Sequence, residues 1–386
     1  MFSAAKVFNF NFSLQSFFFS SRAQMESTPR SLSSTIFNSD SRSPARTSDA
    51  IDSSDVSITL QEWQGWGTVS PLPAKVLEIV ADLKVLEINT DAEMRFGGKG
   101  KLQGEFKIQE DKKHRATYEG LGDSEEKLHF YSARQIACRL LGSRGYLCQK
   151  CWLPLEEDCM CSKVKHLSLW PGIRFWLYMH PKDFLRQNNT GKLLWQVFGV
   201  QSATLCLFGI PEQEEIMWNA FKRSGKNKVW CLYPNKNAVT KSVHDAFGQG
   251  YSMDVEHFPT VTNEDKTLNF VLIDGTWSNS AAMFRRLKEQ TKSAWGEEDL
   301  PCISLATGTS TMHKLRPQPS WDRTCTAAAA ISLLTELQTL PEFVSCGLDQ
   351  QAEGLEEALV VLLDALTRRR LRMGRSITRT VRHKID

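Results

Sequence analysis

Two clusters of residues in this chain have the types and spacing to do chemistry. The first is Cys148-x-x-Cys151 followed by Cys159-x-Cys161. A CxxC lets two thiolates reach one ion across a tight turn, and a second close pair completes the tetrahedral thiolate set that zinc takes. The second pair here is CxC, a tighter bite. Ten cysteines in 386 residues are too sparse for a disulfide scaffold, and Cys206, Cys231 and Cys302 sit in apolar runs that read as reduced core positions. The four clustered residues Cys148, Cys151, Cys159 and Cys161 therefore read as a closed, structural zinc knuckle. Unligated or redox-active thiols are the other reading.

The second cluster closes an apolar run, Asn269-Phe270-Val271-Leu272-Ile273, with Asp274-Gly275-Thr276-Trp277. The run reads as a fully buried strand, and the residues after it, through Met283, Arg285, Arg286 and Leu287, as a helix. Asp274, Thr276 and Trp277 then stand at the carboxyl end of a strand, where open α/β sheets bind ligands. Gly275 permits a tight turn and Thr276 can cap the helix. Taken alone, capping explains Asp274 and Thr276 as well as ligand binding does. His180-Pro181-Lys182-Asp183 ends another apolar run, so His180 shares the address of Asp274. Asn189-Thr190-Gly191 reads as a helix N-cap, and Tyr233-Pro234-Asn235 closes a further strand that could line the same crevice. Gly308 and Thr309 follow one more strand. There is no GxGxxG fingerprint, no GxxxxGK[ST] loop and no spacing that reveals a nucleophilic triad, so dinucleotide and nucleoside-triphosphate binding lack support.

The elements that must position these residues alternate. Strands are predicted at 173–179, 203–208, 228–233, 270–273 and 302–305, and helices at 191–198, 212–223, 238–247, 277–290, 326–340 and 355–373. Short buried strands alternating with helices imply an α/β domain with a mostly parallel sheet and flanking helices. The 355–373 helix carries Leu359, Leu362, Leu363 and Leu366 on one face and delivers Arg368, Arg369, Arg370, Arg372 and Arg375 at its end. Upstream, 73–86 reads as a helix and 94–118 as a small antiparallel hairpin, together an accessory α+β region with no catalytic constellation.

Net charge is only +3, which by itself implies no polyanion partner. The basic C-terminal stretch, continuing through Arg379, Arg382, His383 and Lys384, suits phosphate contacts; a solvated helix end accounts for it equally. No apolar run is long enough to span a bilayer, so no membrane domain is expected. Before Met25 there is no acidic residue, only Ser- and Phe-rich sequence with Lys6 and Arg22. Two readings stay open: a transit peptide to a plastid or mitochondrion followed by a disordered linker, or a second start at Met25 giving a cytoplasmic or nuclear form. The expected organisation is a transit-like segment over 1–58, an accessory region over 59–137, a main domain over 138–345 that contains the knuckle at 148–161, and a C-terminal helix with a basic tail over 346–386.

Taken in order, four pieces resemble the DTW-domain family. They are Cys148-x-x-Cys151…Cys159-x-Cys161, His180-Pro181…Asn189-Thr190-Gly191, Leu232-Tyr233-Pro234, and Asp274-x-Thr276-Trp277…Met283. A later segment, Arg323-Thr324-Cys325-Thr326-Ala327-Ala328-Ala329, resembles the family's Ser-Thr-x-Glu-Ala helix start. It departs from that pattern with Cys325 for Ser and Ala328 for Glu. The resemblance implies a SPOUT-like fold and a tRNA-uridine aminocarboxypropyltransferase. Such an enzyme moves the 3-amino-3-carboxypropyl group of S-adenosylmethionine to uridine N3 and releases methylthioadenosine. It further implies tRNA as partner, with the basic tail and zinc knuckle on its phosphates. Asp274, Thr276 and His180 would be the catalytic residues, and Trp277, Tyr233, Pro234 and Gly275 would hold the S-adenosylmethionine. Oligomeric state is not legible. The alternatives are a SAM-dependent RNA methyltransferase, and a non-catalytic zinc-containing RNA-binding or ribosome-assembly factor.

Overall fold

Among the described residues, the stretch up to residue 143 comes first and is mostly helical. Helix α1 spans Leu60–Gly65, with the Thr59 hydroxyl accepting from the Glu62 amide, and α2 spans Ala74–Thr90, burying Val76, Ile79, Val80 and Leu83. A short hairpin pairs β1 (Arg95–Gly97) with β2 (Lys101–Gln103) antiparallel. The hairpin expected over 94–118 ends there. Gly104 takes φ +71° and starts helix α3, Gly104–Gly120. That helix buries only Phe106 and Glu110, so no apolar stripe announces its period. Helix α4, Ser124–Ser143, is capped by the Asp123 carboxylate, which accepts from the Glu125 and Glu126 amides. It packs on α2 and carries Phe130, Ala133, Ile136, Ala137 and Leu140 into the core. The structure, a computed structural model, describes residues 58–97, 101–233, 240–248, 267–296, 299–306 and 324–376.

Strands β3 (Ile173–Met179), β4 (Ala203–Leu207), β5 (Val229–Leu232), β6 (Thr240–Lys241), β7 (Leu268–Asp274) and β8 (Cys302–Ile303) form one sheet in the order β4-β3-β7-β5-β8-β6. Each pairing among the described residues of that sheet is parallel. Parallel strands need crossovers, and the helices between strands supply them: α5 (Lys192–Phe198), α6 (Pro211–Ser224), α7 (Val243–Phe247) and α8 (Trp277–Trp295), while α9 (Thr326–Gln338) and α10 (Leu348–Arg372) follow β8. Residues 238–247 do not form the expected single helix. Thr240 and Lys241 pair with β8, and the Ser242 hydroxyl then caps the short α7 by accepting from the Asp245 amide. Helix α10 starts at Leu348, seven residues before the expected start, because Gly354 is no breaker. It is small for a contact: a Cβ there would lie 2.2 Å from Leu167 Cδ1.

The sheet is covered on both faces, which is why its central strands read as mostly apolar runs, with Arg174 and Asn269 the exceptions inside β3 and β7. Phe175, Leu177, Phe270 and Leu272 belong to a large core with α5, α9 and α10, while Trp176, Tyr178, Val271 and Cys231 belong to a second core with α6 and α8. A polar knot crosses the second core. The buried Glu214 carboxylate accepts from Tyr178 Oη at 2.6 Å, the Gly209 amide at 3.0 Å, Gln290 Nε2 at 3.0 Å and the Arg286 guanidinium. Arg286 also pairs with Glu125 at 2.6 Å, tying α4 to the sheet domain. Tyr178→Phe removes one donor and leaves the carboxylate otherwise satisfied. It is expected to cost about 1.5 kcal/mol, read from the urea midpoint at unchanged slope.

Candidate functional site

The carboxyl ends of β5, β7 and β8 open into one crevice. It is closed by the loop 183–190, the start of α8 and the start of α9. This is where strand order puts ligands: β4 lies to one side of β3 and the later strands lie to the other. Asp274 ends β7 opposite Met179 and is 6% exposed. Asn189 Nδ2 donates to both of its oxygens, at 3.0 and 3.1 Å, while Asn189 Oδ1 accepts the Lys192 amide at 3.1 Å. Asn189 is thus the expected helix cap and also a clamp on a carboxylate 85 residues away. Thr190 reaches the other wall, its hydroxyl accepting the Ala327 amide at 3.4 Å. That bond serves the first turn of α9, whose own N-cap, Cys325, makes no side-chain cap bond.

Gly191 completes the clamp by having no side chain. A Cβ there would stand 2.1 Å from Asp274 Oδ2 and 3.2 Å from Leu177 Cδ2. Gly191→Ala is therefore expected to displace the carboxylate and to destabilise the fold by on the order of 3 kcal/mol. Gly120→Ala, where a Cβ meets nothing within 4 Å, is the control. Thermal melts of the two variants check this.

Of the residues expected at the site, Asp274, Gly275, Trp277 and Tyr233 line the crevice. Tyr233 stacks on Phe284 with centroids 4.5 Å apart. Thr276 is the N-cap of α8, but its hydroxyl makes no side-chain cap bond; it pairs with the Ser278 hydroxyl at 2.9 Å and does not line the crevice. His180 is joined to Asp274 only through the backbone, its amide donating to the Asp274 carbonyl at 2.8 Å. Side chains alternate along a strand, so His180 falls on the face opposite Asp274. There it stacks on Phe208, and its Nδ1 accepts the Lys182 amide at 3.1 Å. Burial pulls its pKa down to about 4, leaving a neutral imidazole at physiological pH. Pro234, Asn235, Gly308, Thr309 and Arg323 lie outside the described residues.

Sequence reasoning missed Arg186. It lines the crevice and pairs with the buried carboxylate of Asp183. Arg139, from α4, donates to the Lys182 carbonyl in the same loop. Ala328, which departs from the expected Glu, packs on the core, and Glu336 instead accepts the Ala306 amide beyond β8 at 2.8 Å.

The four cysteines stand beside this loop. Cys148 and Cys161 sulfurs are 3.6 Å apart, Cys151 and Cys159 sulfurs 3.8 Å, and all four lie within 4.8 Å of one another. A zinc ion at its usual thiolate distance sets neighbouring sulfurs ~3.8 Å apart, so the cluster fits such an ion. Hydrogen bonds from Cys151 and Cys161 hold the Cys148 thiol well below its usual range. The turn is braced by its backbone, with the Cys148 amide donating to Leu153 O and the Trp152 amide to Cys148 O, both at 2.8 Å. Trp152 takes φ +57° and packs edge-on to Phe184, with Trp195 5.2 Å away. These rings join the knuckle to the crevice loop and to α5.

The C-terminal arginines are partly spoken for. Arg369 and Arg372 grip the buried Asp158 carboxylate of the knuckle, at 3.0 and 2.6 Å, and Arg372 also reaches Glu157 at 3.0 Å. Tyr146 Oη accepts from Arg369 at 3.2 Å and from Gln187 of the crevice loop at 3.1 Å. Arg379, Arg382, His383 and Lys384 lie outside the described residues. Among the described residues no helix is long and apolar enough to cross a membrane. Set against known families, residues 145–371 match the DTW domain. No solved structure matches the chain.

Proposed function

The chain belongs to the DTW-domain family, and from that premise we propose that it is a tRNA-uridine aminocarboxypropyltransferase. Membership supports a role in tRNA modification in general. The finer reading is transfer of the 3-amino-3-carboxypropyl group of S-adenosylmethionine to uridine N3. The observation that carries it is the clamped Asp274 carboxylate, facing a crevice that Arg186 and the first turn of α9 also line. The aminocarboxypropyl arm is a zwitterion. Its ammonium suits Asp274, and its carboxylate suits a guanidinium or a helix N-terminus.

In this reading the sulfonium supplies an activated methylene. Uridine N3 bonds to that carbon, the carbon–sulfur bond breaks with its electron pair going to sulfur, and the N3 proton leaves to an acceptor. The protein's part is orientation, since three carbons on sulfur are activated and one must be presented. Asp274 holds the ammonium or takes the proton. Gly275 keeps the turn beneath it clear, and Trp277 and Tyr233 offer rings to adenine or uracil. Thr276 and His180 support the turn and strand end rather than touching substrate.

A non-catalytic, metal-bearing RNA-binding protein is the second reading, favoured by Ala328 and Cys325 where the family pattern has Glu and Ser. Nucleoside mass spectrometry decides, on tRNA incubated with the protein and S-adenosylmethionine labelled in the aminocarboxypropyl group. Label on uridine with methylthioadenosine as by-product is expected. A methylated base with adenosylhomocysteine would point to the methyltransferase instead, and unmodified tRNA with no S-adenosylmethionine binding to the non-catalytic protein.

A further inference from the structure

Lys192 opens α5 and is 0% exposed. A buried ammonium needs a counter-charge, and among the described residues no carboxylate pairs with it. Its Nζ donates to the Gln187 carbonyl at 2.6 Å and lies 6.0 Å from the centre of a Trp152 ring. Burial draws its pKa down to about 7, even with charge on Cys151, Cys148 and Cys161 working to raise it.

The same residue holds the crevice loop at two points. Its side chain grips Gln187 O, and its amide donates to Asn189 Oδ1 at 3.1 Å. Asn189 in turn holds Asp274, and its neighbour Thr190 holds the start of α9. Four thiolates around a divalent ion keep a net double negative charge. We propose that Lys192 is the internal counter-cation of the metal-loaded knuckle and the strut by which metal occupancy sets the loop that positions Asp274. The knuckle is then not a remote staple. Its charge is what lets an ammonium stay buried under the crevice, and that ammonium fixes the loop. The inference concerns positioning and holds whichever reaction the crevice performs.

The test uses the full chain, zinc as the metal, and two readouts that do not depend on catalysis. Zinc affinity is measured by chelator competition for the wild type, Lys192→Met and Lys192→Arg. Amide hydrogen exchange is followed well below the melting midpoint, with and without chelator. Lys192→Met should weaken zinc binding about 10–100-fold, as loss of a partner just outside the ligands does, with Lys192→Arg nearer the wild type. Removing zinc from the wild type should speed exchange at 187–192 by at least about tenfold and leave β3 protected. Unchanged zinc affinity in Lys192→Met would overturn the proposal. So would zinc removal that leaves 187–192 protected, or that loosens β3 equally. Should Lys192→Met fail to fold, the wild-type exchange experiment decides alone.

Discussion

Asp274→Asn is expected to lower kcat/KM for tRNA modification by about 10³-fold while shifting the melting midpoint by only a few degrees. The substitution keeps the volume beside Gly191, where there is no room to spare, and keeps an oxygen for Asn189. What it removes is the charge. In the proposed reaction a ligand ammonium, or a proton leaving uridine N3, would then find an amide in place of a carboxylate. Calorimetry with S-adenosylmethionine separates the two roles. Lost binding assigns Asp274 to the ammonium; retained binding with lost turnover assigns it to the proton. Wild-type turnover in Asp274→Asn would remove the residue from the chemistry altogether.

Cys151→Ser should have the largest effect on stability. Its thiol is buried in the cluster, and a serine hydroxyl is a poor zinc ligand. Loss of a zinc ion held there would loosen a turn whose Trp152 sits at positive φ and is held by packing on Phe184 and Trp195. We expect the midpoint to fall by at least ~10 °C, and added chelator to lower the wild type toward the variant without moving the variant itself. Differential scanning calorimetry with metal analysis of the same samples checks both. A wild type that melts alike with and without chelator would mean the thiols carry no structural ion.

Much of this was legible in the chain because burial writes plainly into sequence. Strand β3 falls where the run 173–179 predicts, and β7 covers the run expected at 270–273 and extends to Leu268 and Asp274, because both sheet faces are covered and most residues between are apolar. The cluster of four cysteines was legible because residues able to share one ion come in close pairs. Helix α3 was not, since it buries two residues and shows solvent everything else. The clamp on Asp274 was only half visible. Asn189 announces a cap, but its second bond crosses 85 residues, and no local pattern encodes a partner that distant. His180 shows the limit of an address: one residue beyond the partner of Asp274, it is on the other face. Lys192 carries no signal at all, because a lysine at a helix start is ordinarily on the surface and only the fold buries it.

The grip of Arg369 and Arg372 on Asp158 spans 211 and 214 residues of chain. It therefore bears on the order of events during synthesis. A ribosome releases the cysteine turn long before it releases the arginines, so for that interval Asp158 has neither of these partners and must stay hydrated. The four cysteines are all synthesised early, yet Asp158 beside them gains these two partners only when the last helix has emerged. A nascent or clipped chain that ends before residue 369 would carry the cysteines, Asn189 and Asp274 with this latch still open.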